Sequence, residues 1–153
     1  MATTTDATAR LVAAALVAGA AFAAEEALDQ RLIGPVYSDM KLLGYAVTTR
    51  RPWWLLIGFA IHEANSVAFA QIYRRVLGPR LVGPGWLRGL TMAMLENAVL
   101  WPLVYFSNAV HPAVRRGTMK PIGGGRDFVA ATARHAAFGL VLGALCPVDR
   151  RDR

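Results

Sequence analysis

WWLLIGFAIHEANSVAFAQIY, residues 53–73, is the stretch on which the reading of this chain turns. It matches the roughly 20 mostly apolar residues that a helix needs to cross the hydrocarbon core of a bilayer. Trp53-Trp54 opens it and Tyr73-Arg74-Arg75 closes it, the aromatic and basic belts expected where a helix meets each membrane surface. His62 and Glu63 stand at its middle, with Asn65 and Ser66 one turn along. Ionisable groups at that depth are expensive and usually face a bundle interior or a wet cavity.

Three further stretches extend the pattern in both directions. Trp86 to Ser107 begins near a tryptophan, carries Tyr105 close to its end, and holds Pro102 in its last third, where a kink is expected. Asp127 to Cys146 lies between the breaker Gly123-Gly124-Gly125 and the stop Pro147. The N-terminal run, Leu11 to Ala24, is only about 21 Å long at 1.5 Å per residue, too short to cross alone. Either a longer helix carries Glu25 and Glu26 into the bilayer boundary, or the run is a signal-peptide core cleaved at Ala21-Phe22-Ala23. Cleavage would leave more basic residues outside than inside, so the helix is expected to be retained. The prediction is an all-α polytopic transmembrane bundle of four helices in one domain, with approximate spans 9–28, 53–73, 86–107 and 127–146. Ile33 to Thr49 and Val110 to Arg126 read as interfacial loops, the first with a short helix around Asp39 to Leu43.

Composition agrees with this. The 153 residues are 55% apolar and 18% charged, where soluble domains carry about a quarter charged residues, and mean hydropathy is +0.35. A single cysteine, Cys146, excludes an intrachain disulfide scaffold. The net charge of +7 comes from short basic clusters between apolar runs, without the aromatic interleaving that single-stranded nucleic acid requires, so the expected partner is the lipid bilayer. Heavy use of alanine and arginine suits a GC-rich bacterial genome and hence the bacterial inner membrane. Basic residues fall evenly on the two sides and leave orientation open.

Helical projection brings the polar residues of three spans toward one layer. His62, Glu63 and Asn65 share a face of the second span with Gly58, Ser66 and Ala70; Glu96 and Asn97 fall at the middle of the third; His135 stands above Gly139-x-x-x-Gly143 in the fourth. The small residues are expected to seat the His135 imidazole near carboxylates of neighbouring helices. The expected cluster is therefore Glu63, Glu96 and His135, with His62 at its edge. Arg134, Glu25 and Glu26 are additional candidates; Arg134 projects about 100° from His135 and is expected to snorkel toward Asp127.

Two functional classes follow. In the first, the layer is a dry polar lock holding a structural or accessory subunit together, as a homo-oligomer or within a larger membrane complex. In the second, Glu and His at the midplane handle protons or cations in a transporter or channel. Cofactor alternatives are a haem between His62 and His135, or a divalent metal, although neither Glu63 nor Glu96 has the Glu-x-x-His spacing of di-metal bundles. No residue stands out as an enzyme nucleophile. Arg134 to Gly143, preceded by His62 and the Glu96-Asn97 pair, resembles small bacterial integral membrane proteins in which a span histidine is followed by an aromatic and two glycines. The resemblance implies a compact four-helix membrane fold and carries no activity.

Overall fold

A computed structural model describes residues 4–146 and 148. Pro147 and the tail arginines Arg150, Arg151 and Arg153 lie outside the described residues. The described residues form seven helices and no strand: α1 (Thr4–Leu32), α2 (Asp39–Tyr45), α3 (Trp53–Ile72), α4 (Gly85–Leu100), α5 (Leu103–Val110), α6 (Pro112–Arg115) and α7 (Gly125–Leu145). A π-helical turn, Tyr73–Leu77, prolongs α3. Three helical stretches are long and apolar enough to cross a membrane: Thr5–Leu32, Trp53–Leu77 and Gly125–Leu145. Together α4 and α5 make a fourth if the bent pair counts as one span. They meet at 52° across Trp101-Pro102, because the proline ring has no N–H to give the helix ladder and clashes with the preceding turn.

The apolar run that looked too short turns out to be the middle of a longer helix. α1 spans 29 residues and buries Leu11, Ala14, Ala15, Ala18, Phe22, Glu26 and Asp29, a seam of three- and four-residue steps. Its alanines let two neighbours approach, and α1 packs against both α3 and α7. α7 in turn packs on α4, antiparallel, through four glycines. A Cβ on Gly89 would lie 2.1 Å from the Gly139 carbonyl oxygen, and one on Gly143 would lie 2.2 Å from that of Gly85. The Gly139/Gly143 pair, expected to seat His135 near a carboxylate, mates with a second small-residue pair, Gly85-x-x-x-Gly89 of α4, and His135 lies 3.9 Å from Glu96 of the same helix; the sequence reading had not matched the two pairs.

The helices therefore form a row, α3 beside α1 beside α7 beside α4, and the ring stays open between α3 and α4, which share no comparable interface. The segment expected as an interfacial loop does hold the short helix α2, yet it folds inward. Gln30 donates to the carbonyls of Val36 and Tyr37, while Glu26, about 9 Å inside the end of α1, accepts from Ser38 Oγ and Asp39 N. α2 then runs back along α3 so closely that a Cβ on Gly58 would meet the Met40 carbonyl at 2.1 Å. Non-helical backbone folded inward needs protein partners for its polar groups, and the Val36 and Tyr37 carbonyls and the Tyr37 and Asp39 N–H groups have them.

Candidate functional site

Arg134 is completely buried, and the structure surrounds it with three acids from two elements, α1 and α2. Its Nε and Nη2 donate to the two oxygens of Asp29 at 2.6 and 2.9 Å, a bidentate fork across to α1. Nη1 donates to Asp39 of α2 at 2.7 Å, with Glu26 at 3.6 Å, and Nη2 also reaches the Tyr37 carbonyl at 2.9 Å. The Tyr37 ring covers the guanidinium at 4.6 Å. Burial and the neighbouring Asp39 carboxylate push the Tyr37 phenol above its ordinary value, so it stays neutral. Arg134 does not snorkel toward Asp127: Asp127 accepts from the backbone N–H groups of Tyr37 and Gly123 at the start of α7. Glycine suits that start, since Gly123 and Gly124 have φ of 149° and 114°.

Next to this knot lies a cavity of about 330 Å³. His62, Asn65, Glu96, Asn97 and His135 all line it, so the structure brings five of the expected site residues together, and Asp39 and Tyr37 connect it to the Arg134 group. Its apolar walls include Phe22, Phe69, Trp101 and Phe138. Asn65, Leu100 and Leu103 are lining residues that are also exposed, which places the mouth in the gap between α3 and the α4–α5 bend. The far end of α5 is fastened by His111, which donates Nε2–H to the Leu42 carbonyl at 2.8 Å and accepts from Ala113 N through Nδ1.

Glu96 Oε2 stands 3.9 Å from His135 Nε2, too far for a hydrogen bond. His135 donates its Nδ1 proton to the Ala131 carbonyl at 2.7 Å, so Nε2, the nitrogen facing the carboxylate, carries the lone pair whenever the ring is neutral. Asn97 donates to Thr132 at 3.0 Å, and Ser66 to the His62 carbonyl at 3.0 Å. Glu63 lies outside this set. Both of its oxygens are buried without a partner, lying so close to α1 that a Cβ on Gly19 would be 2.7 Å from each. Glu25, half-buried on α1, belongs to neither group, whereas Glu26 belongs to the Arg134 knot.

The cofactor alternatives meet a specific geometry. His62 Nε2 engages the Gly19 carbonyl at 3.2 Å, and Phe22 packs against both imidazoles, with centroids 4.6 Å from His62 and 5.4 Å from His135. Among the described residues, no three His, Cys, Asp or Glu side chains converge as a metal site would require. Sequence reasoning missed Asp29 and Asp39, the principal partners of Arg134. Their signal was a buried arginine in need of counter-charge, with acids at the end of α1 and the start of α2 within reach. No protein-family model, curated protein or solved structure matches this chain.

Proposed function

We propose that this chain is a multi-pass protein of the bacterial inner membrane that takes a small, mostly apolar molecule from the bilayer into the cavity between α3 and the α4–α5 bend. The cavity carries this reading. Its volume, about 330 Å³, falls at the small end of ligand pockets, and its apolar walls with a few polar groups at one end follow their usual pattern. A bundle that left such a space empty would forfeit the dispersion contacts of every wall atom. The side-by-side opening of α3 and α4 supports entry from the lipid phase, and the Arg134 knot supports a rigid floor.

The test uses N-phenyl-1-naphthylamine, a neutral apolar fluorophore, with the purified chain in detergent. Val104 lines the cavity from α5, so Val104→Trp should fill it. Saturable fluorescence in the wild type, lost in Val104→Trp at unchanged melting temperature, is the expected result. Equal signals from the two proteins would overturn the reading.

A second reading, an accessory subunit of a larger membrane complex, draws on α3, whose most apolar window is only 22% buried. Native mass spectrometry from membranes solubilised in mild detergent separates the two. A stoichiometric second protein chain supports the accessory reading, and the chain alone or with itself supports the first.

A further inference from the structure

The cavity is acidic at its polar end. Asp39 and Glu96 line it, while Glu26 and Asp29 stand behind Asp39 around Arg134, so the one guanidinium faces three carboxylates and Glu96 stands apart from it. Arg134 is already saturated by the three nearest to it, which leaves Glu96 without a cation in hydrogen-bond contact. Opposite Glu96 stands the lone pair of His135 Nε2, at 3.9 Å. A carboxylate and an imidazole nitrogen this close, with no other cation in contact, favour positive charge beside them, either a proton on one of the two groups or a bound cation. The remaining walls are aromatic, with Phe22, Tyr37, Phe69, Trp101 and Phe138 presenting π faces or edges around the space. Aromatic walls with one carboxylate suit an organic cation that lacks hydrogen-bond donors, since ring quadrupoles attract it without needing a directed bond.

We propose that the occupant of this cavity is a lipophilic organic cation, and that its binding expels a proton that Glu96 or its neighbour His135 otherwise carries. The proposal rests on the ligand-cavity reading above and adds the charge of the ligand. The exchange conserves charge: the proton leaves to water, the cation takes its place beside the Glu96 carboxylate, and no covalent bond changes. The groups facing Glu96 from the packed elements are His135 of α7, His62 of α3 and Asp39 of α2, with Arg134 of α7 and Glu26 and Asp29 of α1 behind Asp39. Asp39 is tied up by Arg134 and His62 Nε2 by Gly19, so Glu96 and His135 are the pair left to exchange the proton.

The experiment displaces bound N-phenyl-1-naphthylamine from the full chain with benzyltrimethylammonium and with its uncharged carbon isostere, neopentylbenzene. The ammonium should displace the probe more tightly at pH 8 than at pH 6, by up to about tenfold per pH unit for one proton displaced. In weakly buffered solution it should release one proton for each cation bound. Glu96→Gln should abolish both effects while leaving binding of the neutral probe intact. Proton release is read on the wild type and does not depend on any variant folding. If neopentylbenzene displaces the probe, the ammonium does not, and no proton is released, the cation assignment is overturned and the apolar cavity stands. Displacement by neither compound, with no probe signal above that of Val104→Trp, would overturn the cation assignment and the cavity reading together.

Discussion

Arg134 and Glu63 are both ionisable residues packed inside a helical bundle, and their surroundings give them opposite consequences. Arg134 is held by Asp29, Asp39, Glu26 and a carbonyl; removing it strands three carboxylates in a buried position. Arg134→Met should cost about 3–5 kcal/mol, the usual loss when one side of a buried ion pair is deleted, read as loss of a cooperative melting transition in detergent. Glu63 keeps two buried oxygens with no partner. Glu63→Met should therefore stabilise the fold, by about 1–3 kcal/mol if the carboxyl's unmet desolvation cost is fully recovered, and a lower melting temperature would show that an unseen partner holds it. The sequence reading expected Glu63 and Glu96 to act together. The structure separates them by direction, Glu63 toward α1 and Glu96 toward the cavity, and a projection of single helices cannot tell which neighbour a broad polar face will meet. The same limit hid Asp29 and Asp39, because depth counted along straight spans gives no sign that the chain after α1 turns back inward.

At the scale of elements, helix existence was legible and helix pairing was not. Apolar length, aromatic belts and the Gly and Pro punctuation placed the spans, the Pro102 bend and the short helix near Asp39, because each depends on local chemistry. The α4–α7 interface depends on two glycine pairs from distant stretches meeting in register, and only one of the pairs attracted notice. That register makes a sharp prediction. Gly89→Ala would set a methyl 2.1 Å from the Gly139 carbonyl oxygen, whose helix must then retreat. A loss of about 1–3 kcal/mol is expected, as for overpacking elsewhere. Gly125→Ala, at a helix start with open space around it, should leave the melting temperature within experimental error. If both substitutions melt alike, the two helices do not approach through these glycines.

Across the whole molecule, the open side of the row and the Arg134 knot are two ends of one arrangement: α1 and α7 form a rigid middle, while α3 and α4–α5 stand apart on either flank. The knot joins residues 26–39 to residue 134, so its acids emerge from the ribosome long before the cation that answers them. Until α7 arrives, Glu26, Asp29 and Asp39 have no guanidinium to bind, and the inward fold of the chain after α1 loses its strongest tie. Completion of the fold must then wait for the last helix, and membrane quality control would see every shorter intermediate as unfinished. A chain ending at residue 124 should be degraded in cells, and supplying α7 in trans should rescue it. Arg134→Met on the full chain should share the short half-life of the truncated form in a pulse-chase measurement; a half-life matching the wild type would mean that the acids are satisfied without their arginine.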